Sequence, residues 1–353
     1  MSRECLLVWL TSLSLLCSGC SGGGGQKYTI MVIPKGLTHE FWQSIHRGAD
    51  RAAADLTAVG ISTRVQFEGP ARENEAGPQI EIVNQAVGRK VSGIVLAPQH
   101  RKTMAEAVER AVAAKIPVVI IDSGLENRDL YVQYVATDNY NGGKMAAERL
   151  LDSLAKAGKK APRLVLFRYQ VGSESTERRE QGFLDVVEKR IADQKAAGEP
   201  TITWVSRGEI ELGATKQTAY DNALPYLTKH KDGIDGIFAP NESSASGVVQ
   251  ALRDIERNKT IALMGFDSSE PLLSALKAGD VDGLIVQDPY RMGYLGVWVL
   301  VQHLEGKKLP DPEKYLGTGE RLITRENVDS AEIRELFVPD LQQKRTIATP
   351  KVE

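Results

Sequence analysis

From Tyr28 onward, ten short runs of mostly apolar, often β-branched residues alternate with amphipathic stretches, and that alternation leaves the chain few folds to choose from. The runs are YTIMVIP (28–34), TRVQFEG (63–69), GIVLAP (93–98), PVVIID (117–122), YVQYVAT (131–137), RLVLFRY (163–169), TITWVSR (201–207), GIFAPN (236–241), IALMGFD (261–267) and GLIVQD (283–288). Most are continuously apolar, as strands are when helices cover both faces of a sheet. Between them lie helical stripes: Phe41, Ile45, Ala49 and Ala52–Ala53; Met104, Ala107, Val108 and Ala111; Met145, Ala146, Arg149 and Leu150; Val248, Val249 and Leu252. Repeated βα alternation predicts a doubly wound α/β architecture. Ten parallel strands are many for one sheet. At roughly 100–200 residues per domain, 353 residues suit two five-stranded lobes, with a break just after Thr137.

The first twenty residues read differently. Arg3 precedes an apolar stretch, LLVWLTSLSLL (6–16), which is shorter than the ~20 residues a spanning helix needs. Ser18 and Gly19 then lead to Cys20, which is signal-peptide anatomy. Ser-Gly-Cys also resembles the lipobox of bacterial lipoproteins, although Cys17 stands where that pattern has leucine. Cleavage before Cys17 would place bulky Leu16 at the cleavage site, so Cys20 is the expected lipidated residue; plain secretion is the alternative. Cys5, Cys17 and Cys20 are the three cysteines of the chain, so its body carries neither a disulfide framework nor a cysteine metal site. SGGGGQ (21–26) reads as a flexible tether. No strand precedes it and no Gly-Lys-Ser/Thr follows, so it is a poor phosphate loop. The segment from Pro339 is sparse in apolar residues and is expected to wrap a surface or fray. A net charge of −2 without a basic run gives no ground for a nucleic-acid partner.

Open α/β sheets bind ligands beyond the carboxyl ends of their strands. The polar residues there are Asp122, Asn139, Asn241, Asp267 and Gln287, with Arg179 opening the helix after RLVLFRY and His39, Phe41 and Trp42 after the first strand. Singly, each has a structural alternative. Aspartate and asparagine suit caps and turns. Arg179 lies in a charged run, Glu177–Glu180, that suits a solvated face. Phe41 and Trp42 are adjacent, so both cannot point into one helix core. As a set they suit a polyol. Aromatic faces cover apolar C–H surfaces, while carboxylates, amides and a guanidinium offer planar donors and acceptors to hydroxyls.

From Tyr28 to about Asp329 the chain resembles the type I periplasmic binding proteins, in the branch of the ribose-binding protein. The resemblance rests on His-Glu-Phe-Trp (39–42), Val-Ile-Ile-Asp (119–122), Thr-Asp-Asn-Tyr-Asn-Gly-Gly (137–143), Glu-Arg-Arg-Glu-Gln-Gly-Phe (177–183), Phe-Ala-Pro-Asn-Glu (238–242), Met-Gly-Phe-Asp (264–267) and Gln-Asp-Pro-Tyr-Arg-Met-Gly (287–293), in the family's order. It implies that Phe41 and Trp42 sandwich a sugar ring, and that Asp122, Arg179, Asn241, Asp267 and Gln287 bind its hydroxyls. Asn139 falls beside the first crossover, and His39 stands where ribose binders have asparagine. Ser123 replaces their arginine. A third aromatic is expected near Trp204 or Ile210. The family's fold implies three crossings between lobes, near Thr137–Asp138, Gln287–Asp288 and Gly319. The implied division is a lipoprotein signal peptide (1–19), a lipid-anchored tether (20–26), a first lobe (27–137 with 288–318), a second lobe (138–287 with 319–340) and a tail (341–353). The implied function is extracytoplasmic capture of a small polar ligand, a monosaccharide above all, for an ABC-type membrane permease. The expected protein is a monomer without cofactor, metal or catalytic residue, touching the membrane through its anchor alone.

Three rivals are weighed against this reading. An enzyme on the same fold lacks support, since neither a Gly-x-Ser-x-Gly elbow nor metal-ligand spacing among His39, His46, His100, His230 and His303 is present. A sugar-responsive repressor would carry DNA-binding helices where the signal segment stands. A receptor presenting its ligand to a sensor kinase or chemoreceptor stays open.

Overall fold

The computed structural model describes residues 28–73, 76–309 and 314–351. Cys20, the apolar stretch 6–16 and the glycine run lie outside the described residues. The first lobe opens with β1 (Tyr28–Ile33), α1 (Glu40–Ala58), β2 (Thr63–Phe67), α2 (Ala76–Gly88), β3 (Gly93–Leu96), α3 (Thr103–Ala113), β4 (Val118–Ile121) and β5 (Gln133–Ala136). The second continues through α4 (Asn139–Lys156), β6 (Arg163–Arg168), α5 (Glu174–Ala196), β7 (Thr203–Glu211), α6 (Lys216–His230), β8 (Gly236–Phe238), α7 (Glu242–Asp254), β9 (Ala262–Phe266), α8 (Glu270–Ala278) and β10 (Gly283–Gln287). The chain returns as α9 (Pro289–Leu304) and β11 (Tyr315–Gly317), then crosses again to β12 (Glu320–Ile323), α10 (Ala331–Phe337) and α11 (Pro339–Lys344).

Each lobe holds a six-stranded sheet, in the orders β11-β5-β4-β3-β1-β2 and β12-β10-β9-β8-β6-β7. Pairing is parallel throughout except between β10 and β12. The sixth strand of each sheet is missing from the five-strand expectation. β11 and β12 are short, half-exposed edge strands, so they carry no continuous apolar signal. All residues of β3, β4 and β10 are buried, which is why they read as unbroken apolar runs. Alternate residues serve opposite faces. Ile30 and Val32 pack with α1 and α9, while Met31 and Ile33 pack with α2 and α3. In the second lobe Val165 and Phe167 face α6 and α7, and Leu164 and Leu166 face α4 and α5.

Two helix pairs meet backbone to backbone at glycines. A Cβ on Gly48 (α1) would lie 1.9 Å from the Tyr290 carbonyl oxygen, and one on Gly293 (α9) 2.0 Å from that of Ile45. The second lobe repeats the device: Gly143 on α4 would meet the Arg179 oxygen at 2.0 Å, and Gly182 on α5 the Tyr140 oxygen at 2.0 Å. Gly143, Gly182 and Gly293 belong to the motifs quoted above, and Gly143 with Gly182 sets how closely α5 approaches α4.

The chain passes between the lobes at Thr137–Asp138, at Asp288 and at Thr318–Gly319. It then crosses a fourth time, at Val338. α10 puts Ile333 and Leu336 into the core of the second lobe. α11 lies on α1 of the first, where Gln342 accepts from Arg47 and donates to Ser44 Oγ at 3.0 Å. Beyond it Arg345 pairs with buried Asp288, and Ile347 packs on the first-lobe core. The segment from Pro339 therefore wraps rather than frays.

Candidate functional site

Residues just past the carboxyl ends of strands in both sheets converge on one small cavity of ≈ 40 Å³. His39, Phe41, Trp42, Asp122, Arg179, Asn241, Asp267 and Gln287 all line it, as do Lys35, Glu73, Tyr169, Ser173, Ser175, Thr176 and Glu242, which the sequence reading missed. Asn139 is absent from the lining. It sits one step behind, accepting from Arg179 Nε at 2.9 Å.

Asp122 and Asp267 occupy matching places in the two lobes. Both have left-handed backbones, with φ of 62° and 66°, a conformation in which aspartate is several-fold enriched over most non-glycine residues. Each donates its N–H across to a neighbouring strand, Asp122 to Val135 at 3.1 Å and Asp267 to Ile285 at 2.7 Å. Asn241 is both a cap and a cavity residue: its Oδ1 accepts from Ser244 N at 3.2 Å at the start of α7.

Arg179 lies in the second turn of α5 rather than at its opening, and it is buried rather than solvated. Its guanidinium donates to Pro240 O at 3.0 Å, approaches Asp267 Oδ2 at 3.4 Å and stacks 3.7 Å from the Phe266 ring centroid. Gln287 Nε2 donates to Asp267 Oδ1 at 2.5 Å, leaving buried Gln287 Oε1 without a partner. Burial raises the Asp267 carboxyl above its ordinary pKa; Arg179 and Gln287 oppose the shift, and Asp122 and Glu242 add to it.

On the first-lobe side, Lys35 Nζ lies 2.8 Å from Asp122 Oδ2 and donates across the cleft to Ser175 Oγ at 3.2 Å. Glu73 accepts from Trp42 Nε1 at 2.7 Å and, again across the cleft, from the Tyr169 hydroxyl at 2.8 Å. Burial, with Glu73 second, lifts the Tyr169 hydroxyl well above its usual pKa. His39 completes the bridge, its Nε2 3.7 Å from Glu73 and its Nδ1 3.3 Å from Glu242 of the other lobe. Tyr169 ends the run RLVLFRY and Lys35 follows YTIMVIP at once, so a strand-end search extended by one residue finds both. Glu73 stands in a polar loop with no pattern to mark it.

The aromatics differ from expectation. Phe41 and Trp42 stand edge to face, with centroids 4.9 Å apart and planes at 87°. Rings so disposed cannot offer two parallel faces to one sugar ring. The hydrogen bond to Glu73 and packing in the first-lobe core hold Trp42 at 3% exposure. Phe41 is half-buried and freer. Trp204 packs on Phe183 and donates to Glu188, and Ile210 lies against the core, so neither reaches the cavity; Tyr169 is the second-lobe aromatic that does.

Lys35 and Arg179 each lie against one carboxylate and Lys216 lies 2.8 Å from Glu242, while His39 stands between Glu242 and Glu73. Such a site is rich in acceptors. Among the described residues no His, Cys, Asp and Glu group is arranged to hold a metal, and no helix is long and apolar enough to cross a membrane.

A family model described as "Periplasmic binding protein domain" matches residues 30–308. Ribose import binding protein RbsB of Bacillus subtilis is 27% identical over 319 residues, covering 87% of this chain and 95% of the relative. A carbohydrate transporter solute-binding protein from Agrobacterium radiobacter, solved in complex with D-arabinose, is 31% identical with a TM-score of 0.77, covering 88% of this chain and 99% of that one. An ABC transporter solute-binding protein from Agrobacterium vitis, solved with bound D-fucose, is 30% identical with a TM-score of 0.76, covering 87% and 99%.

Proposed function

This chain belongs to the periplasmic binding protein family, in the type I branch that serves sugar ABC importers, and from that premise we propose that it captures a neutral sugar, one monosaccharide ring seated between its lobes, and delivers it to a membrane permease. The observation that carries this reading is the cavity at the strand ends, where polar groups of the two lobes bond to one another. The Lys35–Ser175 and Tyr169–Glu73 contacts stand where a ligand's hydroxyls would be received. A sugar entering from the open state takes over these bonds, and the lobes close on it by hinge motion. Asp122, Arg179, Asn241, Asp267 and Gln287 are assigned to its hydroxyls and Phe41 to one face of its ring. Lys35, Arg179 and Lys216 are each already paired with a carboxylate at the site, which favours a neutral ligand over a sugar phosphate or sugar acid. The lipidated Cys20 would keep the loaded protein beside its permease.

A thermal-shift screen of the purified protein against D-ribose, D-arabinose, D-allose, D-fucose, D-galactose and their phosphates and acids tests the ligand class. One ligand at a hundred times its Kd stabilises by about 2.7 kcal/mol, and only neutral sugars are expected to do so. A panel in which no neutral sugar shifts the transition overturns the proposal. Intact-mass analysis after expression in a lipoprotein-competent bacterium should show diacylglycerol on Cys20; a mature chain starting elsewhere ends that part of it.

A further inference from the structure

A second and larger space adjoins the cavity. It measures ≈ 420 Å³ against ≈ 40 Å³ and lies between α1 of the first lobe and α8 of the second. Phe41, Asp267 and Gln287 line both spaces, so they form the boundary between them. The volume falls in the ~300–1,000 Å³ range of small-molecule pockets. The far wall is the α10–α11 segment, which presents Phe337 and Pro339 opposite Leu273.

The chamber also has a built polar edge. Arg47 Nε and Nη2 donate to Gln342 Oε1 at 3.3 and 3.0 Å, and Gln342 Nε2 donates to Ser44 Oγ at 3.0 Å. Arg47 has no ion pair among the described residues, and burial is the leading cause of its lowered pKa. At the boundary stands the buried, unpartnered Gln287 Oε1, an acceptor waiting for a hydroxyl. A hydrocarbon group in this chamber would leave Gln287 Oε1 without a polar contact. A second sugar ring offers C–H faces to Phe337 and Leu273 and hydroxyls to the polar edge.

We infer that the protein takes a disaccharide, with one ring in the cavity between the strand ends and the other in the chamber walled by the C-terminal segment. This rests on the sugar-binding reading and narrows it to a two-ring ligand. Calorimetric titration of the purified protein compares maltose, cellobiose, lactose, melibiose and their component monosaccharides with hexyl β-D-glucopyranoside. A disaccharide is expected to bind at least tenfold tighter than either of its components. Gln43 is exposed at the chamber rim on α1, so Gln43→Trp should leave the fold intact, fill the space and abolish that advantage while monosaccharide affinity holds. Leu273→Trp, from the opposite wall, should do the same. Monosaccharides that bind as tightly as every disaccharide, with both tryptophan variants unchanged, overturn the inference and leave the sugar-binding reading standing. Tighter binding of the hexyl glycoside overturns the assignment of a second sugar. Silence from every sugar defeats the parent reading and this one with it.

Discussion

Gly143 lies directly against the backbone of Arg179: a Cβ at that glycine would stand 2.0 Å from the arginine carbonyl oxygen. The arginine that organises the second-lobe side of the cavity is thus placed by an absent side chain on the neighbouring helix. Gly143→Ala is expected to push α5 away and cost about 1–3 kcal/mol of stability, as overpacking does. It should also weaken sugar binding, because Arg179 moves with its helix. Gly77→Ala is the control. It sits on exposed helix with nothing near a new Cβ, and should stabilise by about 0.5–1 kcal/mol. Urea unfolding of both variants checks this, and equal stabilities would refute the close-packing argument.

Arg178 and Arg179 are neighbours with opposite surroundings. Arg178 is exposed, its guanidinium carbon 5.0 Å from the Tyr140 ring centroid. Arg179 is buried among Asn139, Pro240 and Asp267. Losing hydrogen bonds to a charged group costs roughly 1.5–3 kcal/mol, so Arg179→Ala should lower affinity about ten- to hundredfold. Arg178→Ala should leave affinity within about 0.5 kcal/mol. A calorimetric titration in which Arg178 is the more sensitive of the two would undo the assignment.

Trp42 and Phe41 are expected to separate stability from binding. Trp42 belongs to the core and holds Glu73, so Trp42→Ala should cost about 3–5 kcal/mol of stability. Phe41 lines both the cavity and the chamber while only half-buried. Phe41→Ala should therefore act mainly on affinity. Melting curves paired with titrations read both effects; a Trp42→Ala protein as stable as the wild type would contradict the packing described here.

His39 supplies a pH dependence. Burial lowers its pKa, but the hydrogen bond to Glu242 and the charges of Glu73 and Glu242 outweigh that, with Lys216 opposing, and the net shift is upward. Burial also pushes Glu242 up, yet His39, Lys216 and Ser269 hold its carboxyl down at about 2. A raised histidine contributes its full stability below the ordinary value of ~6.5 and loses it as pH rises through the raised one. A depressed glutamate contributes fully above ~4.3 and loses that as pH falls towards its folded value. The bridge between lobes is therefore complete at roughly pH 4.5–6.5 and weakens above. Thermal stability should decline from pH 6 to 8 more steeply in the wild type than in His39→Gln; parallel slopes would rule the bridge out.

What the sequence makes legible follows from burial. Strands covered on both faces must be apolar at every position, so the segments that became β3, β4 and β10 announced themselves, and with them the strand ends where Asp122, Asp267 and Gln287 stand. Edge strands obey no such demand, and β11 and β12 left no trace. Nor does a side chain's direction show in sequence. Phe41 and Trp42 read as an equivalent pair, yet a hydrogen bond to one loop glutamate turns Trp42 into the core. Glu73 itself lies among polar loop residues that resemble it. The C-terminal segment escaped for a related reason: Gln342, Arg345 and Ile347 anchor it one residue at a time, and isolated anchors make no periodic pattern.

The fourth crossing has a consequence of parity. Three passages between two bodies leave the ends of a chain on different bodies, whereas four bring them back to the same one. Here Tyr28 and Ile347 both pack into the first-lobe core. The second lobe is thus two insertions, each held at both of its own ends, and its motion leaves the separation of Tyr28 and Ile347 unchanged. Fluorophores attached beside Tyr28 and Ile347 would be blind to closure. A sensor built from this scaffold needs one label inside the second lobe, at an exposed helix end such as Ala197, whose backbone is right-handed.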